Sequence, residues 1–346
     1  MNELLKSILD GIYMVVQNYG LAIVVFTILV RLVLMPLDYK SRVGMRKMSK
    51  LAPKQAELQK KYEKDPEKMQ RKLAELYKKE NVSPMSSCWP MLVSMPILFA
   101  MFAAMRMMAN EQLVQQAFNI ILTGDTALEP FLWIKNLWMP DSPFTAAWPN
   151  AQSLQLIDSG EWVRMFGKLL PEEVALLSEK VGIALTEASF TGDALKSTIT
   201  AVTNAMIAVP EYGTQVATLP YMTINLLIAQ WTVSANWNGL FLLPVMSAAS
   251  QYLMTVLNPA QQPQPTGNSQ QAQQQASTGN FMKWFFPIFS LWLCSSYNAA
   301  FALYWVTSNL IAMAQNYGIN KYLDHKDKLA AQQEDTAADL TGKSVK

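Results

Sequence analysis

The sequence predicts an all-α polytopic membrane protein. It has a core of five transmembrane helices, a cytoplasmic antiparallel helical hairpin and a mostly helical extracytoplasmic insertion. Three observations carry that expectation. Apolar residues make up 51% of the 346-residue chain and charged residues only 16%, and the apolar ones gather in runs long enough to cross a bilayer. The mean hydropathy of +0.10 is modest for a pure membrane bundle, so sizeable polar segments must accompany the spans. The charges are also segregated. Residues 40–80 hold fourteen of the 28 Lys and Arg against six acids, whereas 109–238 hold twelve acids against five bases.

Taken in order, residues 1–18 place Leu4, Leu5, Ile8, Ile12, Val15 and Val16 at helical spacing, with Glu3, Lys6, Ser7 and Asp10 opposite. This reads as an amphipathic interfacial helix or as one packed on the bundle. The first span, 19–37, covers roughly 28 Å as a helix and contains one charge, Arg31. Residues 38–83 form the basic hairpin. Met48, Leu51, Gln55, Leu58 and Tyr62 recur at spacings of 3 and 4, as do Met69, Leu73 and Leu76. Asp65 and Pro66 between the two runs suit an N-cap and a first helical position. Lys54, Lys60 and Lys61 belong to the solvated basic outside.

The second span lies within 84–109. Pro84, Pro90 and Pro96 are expected to kink it or delay its start, and its dense methionines read either as packing or as an adaptable surface for apolar guests. Residues 110–238 form an extracytoplasmic loop with the insertion at about 143–238. There, 171–209 reads as one or two helices broken near Gly192, and 219–237 as an interfacial segment rather than a sixth span. The third span is 239–257, followed by an uncharged flexible linker at 258–280. The fourth and fifth spans share 281–320, and the charge-balanced tail 321–346 is expected to be disordered.

Loop charge sets orientation. The hairpin, with a net charge of +8, belongs inside and the acidic loop, with −7, outside, so five spans leave the N-terminus outside and the C-terminus cytoplasmic. No signal peptide is expected, since 1–10 lacks a basic region and no cleavage site follows.

Arg31 is the most informative residue. An arginine at mid-membrane costs about 2.5–3.5 kcal/mol on insertion scales, and this one lies roughly 9 Å from the cytoplasmic end of its span. Either it snorkels to the headgroups or it faces a water-filled cavity. No acid lies within another span to neutralise it, which favours a transient anionic partner. Ser94, Gln251, Asn309 and Gln315 can line the same cavity or simply bond neighbouring helices. Cys88 and Cys294 sit inside apolar runs and His325 is the single histidine, so neither a disulfide framework nor a histidine-based metal site or triad is expected. The run 192–198 lacks the second glycine of a phosphate-binding loop. The expectation is a protein that is not an enzyme, with no cofactor. Its basic hairpin attracts anionic lipid or RNA by charge, without sequence-specific nucleic-acid binding.

Four stretches resemble the YidC/Oxa/Alb membrane protein insertases, in the short form without the large domain of Gram-negative members. They are Arg31-Leu-Val-Leu-Met-Pro-Leu37, the hairpin from Leu51 to Pro84 with Asp65-Pro66 at its tip, Cys88-Trp-Pro-Met-Leu-Val-Ser-Met-Pro96, and Leu303-Tyr-Trp-Val-Thr-Ser-Asn309. The resemblance covers roughly 1–142 and 239–320. It departs at 143–238, which has no counterpart, at Tyr297-Asn-Ala-Ala300, where the family often has Pro-Ala-Gly, at 253–257, where many members carry glutamines and a lysine, and in the neutral tail.

The resemblance implies a five-helix core around a hydrophilic groove, open to cytoplasm and lipid and closed outside. Arg31 would sit in that groove, lined by Ser94, Gln251, Trp305, Asn309 and Gln315. It implies a membrane insertase and chaperone of the bacterial plasma membrane that works without nucleotide. Nascent membrane-protein substrates and membrane lipid would be its partners. The hairpin, with Lys54, Lys60, Lys61, Asp65 and Pro66, would meet ribosome and Sec translocon. The competing expectation is a membrane-anchored scaffold acting through its extracytoplasmic domain.

Overall fold

The computed structural model describes residues 2–63, 65–82, 89–216, 220–226, 229–234, 236–257 and 270–340. Helices dominate. In chain order they are α1 (Asn2–Val16), α2 (Tyr19–Lys61), α3 (Pro66–Lys79), α4 (Trp89–Thr123), α5 (Ala151–Leu154), α6 (Ser159–Phe166), α7 (Pro171–Val181), a 3-10 turn (Glu187–Phe190), α8 (Ala194–Ala208) and α9 (Pro210–Val216). After strands β1 (Pro220–Leu226) and β2 (Ala229–Ser234) come α10 (Leu242–Leu257), α11 (Gln270–Ser296) and α12 (Ala299–Leu340). Among the described residues two helical stretches, Tyr19–Lys61 and Met95–Thr123, are long and apolar enough to cross a membrane, and Leu242–Leu257 is a shorter apolar helix.

Several boundaries differ from the sequence expectation. The first span and the first arm of the hairpin are one 43-residue helix, α2, with Pro36 and Pro53 inside it. The change from apolar to basic residues does not stop a helix, because Leu, Lys, Arg, Gln and Ala are all good helix formers. Helix α3 starts where expected. The Asp65 carboxylate accepts the Lys68 N–H at 3.0 Å and Pro66 takes the first turn. It ends in a Schellman closure, with Asn81 at φ 51°, Val82 N–H on Tyr77 O at 3.0 Å and Asn81 N–H on Lys78 O at 3.3 Å. The expected linker lies outside the described residues from 258 to 269, but from Gln270 its Gln- and Ala-rich part is the start of α11. The tail is not disordered where it is described, since α12 runs on to Leu340 with Ile319 and Leu323 buried.

The chain falls into two compact units. Unit 1 comprises Met1–Thr27, Leu98–Ala249 and Ile288–Val306, and unit 2 comprises Ile28–Ile97, Ser250–Pro287 and Thr307–Lys346.

In unit 1 the insertion folds around aromatic rings. Trp162 stacks on Phe190 at 5.4 Å, and Phe118 meets Trp162 edge-on at 5.8 Å. Gly192, at φ 53°, breaks the chain between the 3-10 turn and α8. Met101, Met105 and Met108 lie at i, i+4 and i+7 on α4 and are all fully buried. These three methionines are packing residues, not an adaptable outer surface.

A turn-rich segment, 131–147, ties the starts of three helices together. The Phe131 ring fills the space beside Gly20 at the start of α2. The Asp141 carboxylate accepts the Phe241 N–H at 3.1 Å and the Leu243 N–H at 2.7 Å, capping α10. Ala299 and Ala300 of α12 donate to Met139 O and Leu137 O, each at 2.9 Å. Asn136 and Asn238 rivet this plate. The Asn238 amide donates to the carbonyls of Asn136, Met139 and Pro140 at 2.9, 3.1 and 2.8 Å and accepts the Asn136 N–H at 2.7 Å. Asn136 in turn reaches Gln116 of α4 at 3.0 Å. Ser290 of α11 donates to the Ser247 hydroxyl of α10 at 3.1 Å.

Strands β1 and β2 pair antiparallel, with Met222 opposite Val233 and Leu226 opposite Ala229. This hairpin is the departure from an all-helical chain. It occupies the stretch expected to be an interfacial segment, where β-branched, aromatic and apolar residues alternate with polar ones.

Within unit 1, helix α1 is held to α4 and α6 by an ion cluster. Glu111, only 7% exposed, faces Lys168 at 2.7 Å, Arg164 at 3.1 Å and Lys6 of α1 at 3.4 Å. Burial pushes the Glu111 carboxyl up. Hydrogen bonds from Lys168 and Arg164 and the charges of Lys6 and Arg164 outweigh it and hold the carboxyl below its ordinary value. A depressed carboxylate contributes stability that is present above its unfolded value and lost as pH falls through the folded one. Glu111→Gln is therefore expected to cost about 1–3 kcal/mol near neutral pH and to flatten the fall in melting temperature between neutral and acidic buffer. Thermal unfolding in detergent at a series of pH values checks both.

Candidate functional site: a charged residue on an apolar helix

Arg31 belongs to unit 2, half-buried on α2. Its Nε and Nη2 both donate to the Ser308 hydroxyl of α12, at 2.9 and 2.6 Å. Gln315, two turns further along α12, donates its amide to the Arg31 carbonyl at 3.0 Å. Asn309, beside Ser308, donates to Ser250 Oγ at 3.0 Å and Gln251 Oε1 at 3.4 Å on α10. Four of the residues singled out in the sequence thus bond across helices in two sets, Arg31 and Gln315 between α2 and α12, and Asn309 and Gln251 between α12 and α10. Ser308 and Ser250 complete these sets and were missed. Ser308 and Gln315 stand seven residues apart, on one helix face, and that spacing was the available signal.

Two other expected residues are not among these partners. The side chain of Ser94 lies outside the described residues. Trp305 belongs to unit 1, its ring tilted against Phe301 at 5.7 Å. Among the described residues the Trp305 indole N–H and the Gln315 Oε1 are buried without a hydrogen-bond partner.

The electrostatics of Arg31 are distinctive. Among the described residues no carboxylate lies within ion-pair distance of it, and its acceptor is a neutral hydroxyl. A guanidinium has five N–H donors, so the Ser308 contacts leave charge and donors for an anion. One acid does feel Arg31. Asp38 is seven residues along the same face of α2, just past the span, and was not singled out. Burial pushes its carboxyl up, while Arg31 and Arg42 pull it back down.

Beyond Arg31, α2 and α12 run parallel and in step. Arg31 meets Ser308, Arg46 pairs with Asp324, and Lys50 pairs with Asp327 at 2.9 Å, at offsets of 277, 278 and 277 residues. Nineteen residues separate the first and last of these contacts on each helix, roughly 28 Å of shared path. These pairs hold the first part of the tail in helical order.

In the hairpin, Leu51 and Met69 of the expected seam are buried. Lys54 is paired with Glu80 at 2.7 Å, which offsets its charge. Lys60 and Lys61 are exposed, Lys61 lying 5.8 Å from the Tyr62 ring. Asp65 and Pro66 act as cap and first-turn residue.

Comparison with known proteins adds a second line of evidence. A family model described as 60Kd inner membrane protein matches residues 11–327. A protein of Clostridium perfringens named membrane protein insertase YidC is 41% identical over 135 residues, 38% of this chain and 50% of that one. Proteins of the same name from Wolinella succinogenes and Chlorobaculum tepidum are 47% identical over 95 residues and 41% over 129 residues, covering 28% and 37% of this chain. The matched stretch spans half of the Clostridium protein and 18% and 19% of the other two.

Proposed function

Because the chain belongs to the 60Kd inner membrane protein family, that of the YidC/Oxa1 insertases, we propose that it inserts other proteins into the bacterial plasma membrane and helps them fold there. The observation that carries this reading is Arg31, a guanidinium within an apolar helix, held by a neutral hydroxyl and paired with no carboxylate among the described residues. An incoming chain with an acidic extracytoplasmic segment is attracted to it. Each carboxylate that would otherwise enter hydrocarbon faces a barrier of about 2.5–3.5 kcal/mol on the insertion scale. The Arg31, Ser308, Asn309, Gln251 and Gln315 cluster gives that segment a polar path, which we read as a groove. Ser94 and Trp305 are further candidates for its lining.

The incoming helix then moves into lipid, and burial of about 20 apolar residues supplies the drive without a nucleotide. In unit 1 the starts of α2, α10 and α12 and the later turns of α4 and α11 are tied by the Phe131 ring beside Gly20, the hydrogen bonds of the 131–147 plate and the Ser247–Ser290 pair. That alternation supports five crossings with this end outside. The exposed Lys60 and Lys61 of the basic hairpin would receive ribosome or Sec translocon.

The test is insertion into liposomes that contain only this protein. The substrate is a single-span protein with an acidic N-terminal tail, and protease protection of that tail is scored. Protection well above empty liposomes is expected. No protection, with the protein folded and the substrate proven, would overturn the reading and favour a scaffold acting through residues 143–238.

A further inference from the structure

The tail 321–346 is neutral in sum, with five bases and five acids, but its charges are sorted. Asp324 and Asp327 stand one helical turn apart on α12, and both face α2. The Arg46 guanidinium receives both. It pairs with Asp324 and, through Nε at 3.2 Å, with Asp327, while its Nη1 donates to the Asn320 carbonyl at 3.4 Å. Lys50, one turn further along α2, reaches Asp327 at 2.9 Å. Lys321, Lys326 and Lys328 of the tail are exposed instead. Two cations at i and i+4 on one helix are thus occupied by two carboxylates at i and i+3 on another.

The occupants are weakly held. Ile319 and Leu323 are buried on α12, but among the described residues no side chain from Asp324 onward is. Ion pairs therefore fasten this part of α12 to α2. The Asp324 side chain is 59% exposed and that of Lys50 62%. Pairs as exposed as these contribute little and are screened by salt, so a competing anion can displace them. The bound carboxylates also say what kind of anion fits. Lipid fits less well. Arg46 and Lys50 lie nine and thirteen residues beyond Leu37, where the apolar run of α2 ends, roughly 14 and 20 Å along the helix. A headgroup layer is about 5–8 Å thick, so on the reading that α2 crosses the membrane both cations stand clear of lipid phosphate. Arg31 is fifteen residues from Arg46 on the same helix. That is roughly 22 Å, the reach of about seven extended residues. We infer that Arg46 and Lys50 form a docking station for acidic polypeptide segments, and that Asp324 and Asp327 of α12 occupy it as a displaceable latch. The inference rests on the reading that the chain takes substrates with acidic segments, and gives those segments a first contact on the helix that carries Arg31.

The test uses the full chain in nanodiscs of zwitterionic lipid, without ribosome or translocon. The probes are a soluble fluorescent peptide with aspartates three residues apart and its counterpart with asparagines, scored by anisotropy at low salt. Asp324→Asn with Asp327→Asn opens the station and should bind the acidic peptide about fivefold or more tighter than wild type, because the competent state is no longer a minority. The asparagine peptide should show no gain. Adding Arg46→Gln and Lys50→Gln to the opened chain should remove the gain. A second measurement leaves all four charges in place. Spin labels at Lys47→Cys and Lys328→Cys, both exposed, in a background with Cys88→Ala and Cys294→Ala, report the separation of α2 and α12. One short distance is expected, replaced by a broad, longer distribution as the acidic peptide saturates the chain. An opened chain that binds the peptide no tighter than wild type would mean that the two carboxylates guard nothing. A gain that survives Arg46→Gln and Lys50→Gln would put the peptide elsewhere. A gain for an RNA oligonucleotide or for vesicles of anionic lipid, but not for the peptide, would assign the face to phosphate. An unchanged label distance with peptide bound would mean that there is no latch. Each of these overturns the inference, and if wild type still inserts the acidic-tailed substrate into liposomes, only the station is lost. Peptide binding as expected with no insertion sinks the insertase reading instead.

Discussion

Replacing Arg31 by alanine is expected to lower insertion of a substrate with an acidic tail by about tenfold or more, while Arg31→Lys keeps most of it. A tenfold change corresponds to about 1.4 kcal/mol, less than the roughly 2.5–3.5 kcal/mol that a single carboxylate faces at mid-membrane. The charge thus needs to recover only part of that barrier to dominate the rate. Lysine keeps the charge but loses the planar two-point grip on Ser308, so a loss of a few-fold is the most it should show. Ser308→Ala removes the acceptor and leaves the guanidinium freer, so it should move the rate far less than Arg31→Ala. The discriminating measurement repeats each variant with a substrate whose tail acids are changed to amides. If attraction to Arg31 is the mechanism, wild type and Arg31→Ala converge on that substrate. Equal rates for wild type, Arg31→Ala and Arg31→Lys on the acidic substrate would remove charge from the mechanism and leave the polar cluster as its agent.

Arg31 was legible because a charge inside an apolar run has a large cost, and sequence displays cost directly. Its partner was not, because serine is common in apolar helices and Ser308 lies 277 residues away. Asp38 was hidden for a different reason. It stands one residue past the span, where a sequence reading counts it with the basic hairpin, but its spacing of seven from Arg31 puts both on one face. The hairpin seam showed itself through alternating spacings of 3 and 4, which only a helix pair explains.

Continuity was harder to read. Hydropathy reports the environment of a residue and not whether the helix goes on, so α2 and α12 run through the boundaries that hydropathy suggests. The order of the tail rests on ion pairs from Asp324 to Arg46 and from Asp327 to Lys50, which local composition cannot foresee. The β1–β2 hairpin carried its period of two in plain view. Its high apolar content and the interrupting Pro220, Asn225 and Gln230 led to an interfacial segment with no strand assigned.

The largest effect on stability is expected at Gly239. A Cβ there would lie 1.9 Å from the Asp141 carboxylate and 3.1 Å from its Cα. Asp141 is fully buried and cannot yield cheaply. It accepts the Trp133 indole N–H and caps α10 through Phe241 and Leu243. Pushing it aside would leave a buried carboxylate and the first N–H groups of α10 without partners. Gly239→Ala should therefore cost about 3 kcal/mol or more and be read as a large drop in melting temperature and in yield of monodisperse protein. Gly318→Ala is the matched control. It lies within α12 with nothing within 4 Å of the added methyl, and relief of glycine's entropy should leave it neutral or about 0.5–1 kcal/mol more stable. Asp141→Ala alone loses the cap but opens the space. The double variant Asp141→Ala with Gly239→Ala should be no worse than Asp141→Ala alone, because the methyl then has nothing to strike. Additive losses would mean that Gly239 is needed for its backbone and not for the room it leaves. A Gly239→Ala protein as stable as wild type would show that the 131–147 plate gives way easily, and that the starts of α2, α10 and α12 are not fixed by it.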